Sequence, residues 1–574
     1  MTIEAACVRP TMMFALLGAL CVAAVSAQGN EPGFQSGWNG RSRTPPMLWR
    51  TSFLRRGCMK SGVPGDNSSC DHTAPVGALP TAYACTACIS VAASIAALTA
   101  KSWPTGGSGQ AISLADAGYA TVELDEGWGY EGKGGGHDSA GNNLIDTVKF
   151  PSMAGLVAHA HAAGLEMSWS LNNVASSEWP HDQQCHETNV RGDVRNLKDL
   201  GFDGTRLSGY GRCLNNTWYA ELMKESGKNF TIGNVHWMQQ DTVEPIGCHR
   251  SGPRGADAAS CPTLQWCPFN YYQMAADTVP SPESWYTNMQ MVVPFTTPGA
   301  PLSRQGCWAW PGKLQVGSIM DPHNKTAIDM PWNRAHFAAW CIISSPLVLE
   351  IDFAGPGATQ MLEQVASILT HPGAIAVNQA WAGSPGLLLQ SSDPSNPDPP
   401  DAAGFVKLVG ALGPNHDMRN SSSMTIAEAE LWCGKQATCE GFTFDNQRTP
   451  PTLLFKDGMG GSTNNYTGNV VNRDPKWTTY MKHEYVGASA LAQQVWGKPL
   501  PGGAWAVLAI NGGTGGSFAP SLPLALLNMS GGPVSVIDIW ADQPVPGCGK
   551  VTTAFVIPTV PPRDSGFYKL VPAQ

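Results

Sequence analysis

Charge is what this sequence has least of. Only 14% of its 574 residues are Asp, Glu, Lys or Arg, against about a quarter in ordinary soluble proteins. The net charge is −9. No basic run is present that would neutralise phosphates, which excludes a nucleic-acid partner. No apolar stretch reaches the roughly 20 residues that a helix needs to cross a bilayer, so no membrane anchor of that kind is expected. No glycine fingerprint for a dinucleotide is found. Cys85-x-x-Cys88 has no second Cys pair or His set at zinc spacing and reads as disulfide chemistry. Neither a cofactor nor a metal is expected.

The length exceeds one ordinary domain and implies a large unit with one or two smaller ones. The N-terminus runs from Arg9 through an apolar segment, 12–25, to Val25-Ser26-Ala27. That is the order of a secretory signal, 1–27, cleaved near Ala27. Asn67, Asn215, Asn229, Asn324, Asn420, Asn465 and Asn528 each open a glycosylation sequon, which supports export to the outside or to a vacuolar or lysosome-like compartment. Cys7 and Cys21 leave with the signal; the other 14 of the 16 cysteines fit disulfides in an oxidising compartment. Twenty Trp outnumber the 12 Tyr and 17 Phe; exposed Trp stacks well on sugar faces, although any single one fits a core equally well.

From 43 to 385, short apolar runs alternate with helix-like segments. The candidate strands are 46–49, 120–124, 165–171, 204–207, 230–235, 269–272, 313–316 and 347–351. Eight strand–helix steps predict an α/β protein with a (β/α)8 TIM barrel; a doubly wound sheet competes on pattern alone. Ser391 to Asp401 is rich in proline and marks a boundary. Residues 401–485 read as a small α+β module with a helix, strands and a Cys433–Cys439 bridge. From 489 to 574, alternating runs separated by Gly and Pro predict an antiparallel β-sandwich.

Barrel enzymes place their chemistry where strands end. Asp125-Glu126-Gly127-Trp128 ends strand 2, where paired acids accept hydrogen bonds from sugar hydroxyls and Trp stacks on a ring; an exposed acidic loop reads equally well. Asn172 and Asn173 end strand 3, and His236-Trp237 end strand 5. Arg206 and Ser208 share one face of strand 4, Asp277 follows strand 6, and Trp308 introduces strand 7.

Taken in order, these pieces resemble glycoside hydrolase family 27, the α-galactosidases and α-N-acetylgalactosaminidases, in particular algal-type members with an inserted module. The resemblance rests on Arg43-Thr44-Pro45-Pro46-Met47, Asp116-Ala117-Gly118-Tyr119, Asp125-Glu126-Gly127-Trp128, Phe150-Pro151, Ser345-Pro346-Leu347, Ala376-Val377-Asn378-Gln379, Val495-Trp496-Gly497-Lys498-Pro499-Leu500 and Ile539-Trp540-Ala541. The module resembles PAN/apple-like domains and implies a carbohydrate or protein ligand. The family resemblance implies retaining hydrolysis of α-galactosides by two aspartates roughly 5–5.5 Å apart. It puts Asp277 on the acid/base. It implies sugar contacts from Asp125, Glu126, Trp128, Asn172, Arg206, His236, Trp237, Gln273 and Trp308, with Gln273 standing where the family has an Arg. The nucleophile's motif falls on Arg206-Leu207-Ser208-Gly209, so Ser208 replaces the nucleophilic Asp. Sliding the register onto Phe202-Asp203-Gly204 would turn the polar segment 196–200 into a buried strand, where apolar sequence is expected. Gly312 replaces an acid before strand 7, and Gly233 replaces a Glu on strand 5. A Ser hydroxyl needs a neighbouring base to become a nucleophile, and none is in view. The resemblance therefore implies hydrolase ancestry with activity low or lost. The alternative is a galactoside-binding protein on a degenerate barrel. Weak inverting hydrolysis through Asp277 and water is a third reading, but it lacks a base.

Overall fold

The fold comes from a computed structural model, and the structure describes residues 38–51, 59–63, 89–104, 111–125, 127–129, 136–171, 187–209, 216–236, 262–275, 278, 284–317, 329–351, 353, 358–392, 403–409, 411–412, 417–436, 439–456, 476–482, 493–513, 516–548 and 550–573. For Ser208, Gly209 and His236 only the backbone is described.

Eight parallel strands form the first unit: β1 (Met47–Arg50), β2 (Thr121–Leu124), β3 (Glu166–Leu171), β4 (Gly204–Gly209), β5 (Thr231–His236), β6 (Tyr271–Gln273), β7 (Trp308–Trp310) and β8 (Leu347–Leu349). They pair in chain order from β1 to β7, with β8 beside β1. Leu314 closes the barrel by a parallel bridge to Leu349, its amide donating to Val348 O at 2.9 Å. The seventh strand is thus 308–310 rather than the expected 313–316. Pro311-Gly312 breaks the run, and the piece beyond it makes the closing bridge. Gly312 has φ +126°, a backbone that side chains rarely adopt.

Period-two alternation explains the two faces of these strands. Val122 and Leu124 of β2 lie in the core between the strands and the helices, while Glu123 turns into the bore. Around the strands run α1 (Val91–Thr99), α2 (Met153–Ala162), α3 (Glu187–Asp199), α4 (Asn216–Glu225), α5 (Ser284–Gln290), α6 (Met330–Ile342), α7 (Ala358–Leu369) and α8 (Pro372–Gln379). Several begin on side-chain caps, such as Ser152 accepting from Gly155 N at 3.0 Å. Segment 196–199 belongs to α3, so the alternative strand register is excluded by the helix itself.

The strand β9 (Leu387–Ser392) pairs with β15 (Gln493–Pro499) of the C-terminal sheet. The small module is therefore inserted within the sandwich, between two of its adjacent strands, and does not simply precede it. The module holds β10 (Phe405–Val409), β11 (Asp417–Ser421), α9 (Ile426–Lys435), β12 (Gly441–Asp445), β13 (Leu453–Lys456) and β14 (Trp477–Lys482). Its five strands form one antiparallel sheet, and Cys433 and Cys439 are bonded as expected. A capping box between Thr425 and Glu428 starts α9. The sandwich continues through β16 (Trp505–Asn511), β17 (Ser521–Pro523), β18 (Val534–Asp538), β19 (Gln543–Pro544), β20 (Ala554–Val556) and β21 (Asp564–Pro572).

Barrel and sandwich share a core, since Trp496, Leu508 and Phe567 pack in the same cluster as the barrel helices. Gln290 of α5 and Gln494 of β15 exchange amide hydrogen bonds at 2.7 and 3.1 Å in the joint. Cys267 bonds to Cys307, but Cys341 and Cys548 are free thiols, so not all 14 cysteines beyond residue 27 are paired. Cys85 and Cys88 lie outside the described residues. No helix among the described residues is long and apolar enough to cross a membrane.

Candidate active site

The C-terminal half of the barrel bore is filled by ionic side chains that the sequence reading largely missed. Lys313 contacts Glu350 at 2.5 Å, and Arg50 donates from Nε to the same carboxylate at 2.7 Å. Arg50 also lies 3.7 Å from Glu123, which lies 3.3 Å from Arg206 Nε. Arg206 ends the series on Asp125 and donates to Ser170 Oγ at 3.1 Å. Three cations and three carboxylates thus form one continuous, neutral network. Tyr271 adds a hydrogen bond to Glu123 Oε2 at 2.6 Å. Burial pushes the Glu123 carboxyl upward more strongly than Arg206, Arg50 and Tyr271 pull it down. Burial and then the Glu123 charge raise the Tyr271 phenol well above its ordinary range.

Tyr271 fits because its neighbour has no side chain. A Cβ on Gly233 would lie 2.3 Å from Tyr271 Cζ and Oη. Leu48, Trp308, Trp310 and Val348 belong to the same buried cluster as Tyr271, with Trp310 edge-on to its ring at 6.0 Å, and Arg50 stacks on Trp310 with its Cζ 4.9 Å from the ring centroid.

Of the predicted site residues, Asp125 and Arg206 are brought together, both buried. Trp128 donates its indole N–H to Ser170 O at 3.0 Å and packs edge-on against Trp169, with ring centroids 4.7 Å apart. Gln273 ends β6 with its amide turned to Ala275 O at 3.0 Å. Ser208 occupies the next-to-last position of β4, paired with Val235, and His236 ends β5 beside Gly209. Asp277, Glu126, Asn172 and Trp237 lie outside the described residues. Thr278, the residue after Asp277 in sequence, donates to Lys313 O at 2.6 Å.

Trp308 departs from expectation. It opens the seventh strand, but this residue, implied to contact a sugar, is fully buried and donates its indole N–H to Ser42 O in the segment leading into β1. That is the end of the barrel from which strands start, opposite the C-terminal face. Asp203 lies at the same far end, accepting from Met167 N at 3.0 Å with His161 Nε2 at 2.7 Å and Lys228 Nζ at 3.2 Å. An aspartate so placed is no substitute for a nucleophile.

A signal for the missed residues was present. Arg50, Glu123 and Glu350 each stand alone among apolar strand residues, at positions that alternate with core-facing ones. A single charge there faces the bore and needs an opposite charge across it.

The model of the α-galactosidase C-terminal β-sandwich domain matches residues 492–570. The fold is that of the α-galactosidases. α-Galactosidase I from Mortierella vinacea superposes with a TM-score of 0.54 at 13% identity, covering 93% of this chain and 98% of that one. The Saccharomyces cerevisiae α-galactosidase solved with raffinose gives 0.55 at 14%, covering 94% and 99%. Among curated proteins, none matches the sequence. The α-galactosidase-like architecture thus extends over the barrel and the sandwich, while identities this low speak for the fold alone.

Proposed function

We propose that this chain is an α-galactosidase-type protein in ancestry that recognises a terminal α-galactoside at the C-terminal face of its barrel, with hydrolysis low or lost. The observation that carries the reading is the placement of Ser208. It sits at the end of β4, two residues beyond the Arg206 that holds Asp125, where a retaining hydrolase of this type has its nucleophilic carboxylate. The bore-lining carboxylates cannot take over that role. Asp125 and Glu123 are both engaged by Arg206, and Glu123 also by Tyr271. An anionic nucleophile needs to be free to attack C1, and a Ser hydroxyl without a base is a poor one. Asp277 is assigned the acid/base role, and Asp125 and Trp128 the sugar contacts.

The raffinose complex of the yeast structure supports an α-galactoside as the ligand class. Passage through the secretory pathway is part of the same proposal. The three sequon asparagines among the described residues, Asn229, Asn420 and Asn528, are all exposed, as glycan attachment requires. The inserted module is assigned a separate carbohydrate or protein ligand, in keeping with its PAN/apple-like sequence pieces.

The test is an aryl α-galactoside assay on the purified chain beside Ser208→Asp, with galactose-induced shifts in melting temperature measured on both. The expected result is a galactose-dependent shift with no turnover by the unmodified chain. Turnover at a rate ordinary for glycosidases would overturn loss of catalysis. Absence of any galactose shift would overturn the binding reading.

A further inference from the structure

The residues between β2 and α2 carry a second polar network, outside the bore and unused by the reading above. The described parts of this loop, 127–129 and 136–149, form a short antiparallel arm with bridges Gly129–Ile145 and His137–Asn143. Asp146 N donates to Trp128 O at 2.9 Å, so the arm holds the backbone of Trp128 directly.

The arm is seated on α3 by one buried carboxylate. Asp193 Oδ1 accepts from Asn143 Nδ2 at 2.6 Å and lies 3.0 Å from His137 Nε2. Its Oδ2 accepts from the Tyr219 hydroxyl of α4 at 2.6 Å. Asn196 donates to Asn143 Oδ1 at 2.9 Å, and Arg195 to Asn142 Oδ1 at 2.6 Å and Ala140 O at 3.0 Å. The Asp193 side chain is fully buried. The backbones also meet closely: a Cβ on Gly192 would fall 1.7 Å from Gly141 O, and one on Gly141 would fall 2.1 Å from Thr188 O. A buried carboxylate with donors from the arm and from α4 selects one arrangement, because moving either leaves a charge unsatisfied.

The geometry points to Asp193 as a positioning residue for Trp128. It fixes the arm against α3, and the arm fixes the backbone of Trp128, whose indole packs against Trp169 and donates to Ser170 O, the residue whose hydroxyl accepts from Arg206. The α3 helix leads directly into β4, which carries Arg206 and Ser208, so the same carboxylate ties the loop after β2 to the strand that bears the altered nucleophile position. The inference rests on the sugar-binding reading, in which Trp128 stacks on the ligand.

The test compares the full chain with Asp193→Asn, Gly192→Ala and Tyr219→Phe by hydrogen–deuterium exchange and by calorimetric titration with galactose. Asp193→Asn and Gly192→Ala should speed exchange at 136–149 and around Trp128, leave 493–513 protected, and weaken galactose at least tenfold. Tyr219→Phe removes one donor and keeps the carboxylate; it should move both readouts the same way by a few-fold, which covers the case in which a harsher variant fails to fold. Unchanged exchange around Trp128, or faster exchange with galactose affinity unaltered, overturns the proposal. If the unmodified chain binds no galactose, the sugar reading falls by itself. Exchange around Trp128 then decides whether Asp193 positions the loop: faster supports it, unchanged overturns it.

Discussion

Tyr271 and Glu123 stand on β6 and β2, on opposite sides of the eight-stranded barrel, and are joined across the bore by a hydrogen bond of 2.6 Å. The ring crosses the space above Gly233, the position at which related hydrolases are expected to carry a Glu. One strand's missing side chain therefore makes room for the next strand's phenol, and the floor of the mouth is built from this chain's own groups. Three chain segments distant in sequence are coupled in this way.

That coupling is measurable. Tyr271→Phe leaves a buried carboxylate short of one donor and should cost about 1–3 kcal/mol in urea unfolding. Gly233→Ala places a methyl against the ring and should also destabilise. Combining Gly233→Ala with Tyr271→Ala should show an interaction energy of about 0.5–3 kcal/mol, because the shortened residue no longer meets the methyl. Strict additivity would sink the steric account.

Arg206 is the shared cation of Glu123 and Asp125. Arg206→Met leaves both carboxylates buried without it and should lower stability by about 3–5 kcal/mol. Adding Asp125→Leu to that variant should recover part of the loss, since the stranded charge is then removed as well. Thermal unfolding of the single and double variants checks the order.

Asp203 supplies a pH test at the far end of the barrel. Burial pushes its carboxyl up, but the Met167 amide, His161 and Lys228 outweigh it and hold it below the usual 3.8. A carboxyl depressed in the folded state binds fewer protons there than in the unfolded chain, so its stabilising effect is present above about pH 3.8 and fades as pH falls through the folded value. Asp203→Asn should therefore be less stable than the unmodified chain at pH 5–7, and the gap should close on acidification. Galactose binding should be unaltered, since Asp203 is remote from the mouth.

Lys498 gives a slope of the same sign in a higher pH window. Its fully buried ammonium on β15 donates to Val377 O and, at 3.2 Å, to Asn378 O near the end of α8. Burial pushes the amine down from 10.5 to about 7. Between those values the unfolded chain binds more protons than the folded one, so stability should rise with pH from about 7 towards 10.5. Lys498→Met should abolish that rise. Denaturant midpoints at pH 7, 8 and 9 on both proteins test it.

Much of the barrel was legible in sequence because a parallel strand buried on both faces shows as a short apolar run. Seven of the eight strands lie within a residue or two of where those runs stand. The seventh failed for a local reason: Lys313 to Val316 is apolar enough to pass as a strand, but Gly312 turns the chain and leaves only Leu314 to pair. The sandwich boundary also misled, because the proline-rich stretch after Ser391 marks the start of an insertion. Pairing between β9 and β15 crosses it, and pairing across a gap of 100 residues leaves no local trace.

What the sequence by itself determined is the order of elements and the sulfur pair Cys433–Cys439. Each depends on residues close together in the chain, where spacing and residue type suffice. Only the tertiary structure decided which charges meet. Arg50, Glu123, Asp125, Arg206, Lys313 and Glu350 span 300 residues of chain, and closure of the barrel turns them all into one low-dielectric bore. There a charge is tolerated only beside its opposite. The same closure sent Trp308 and Asp203 to the end away from the mouth, since a residue's height in a barrel is set by strand register and not by its neighbours in sequence.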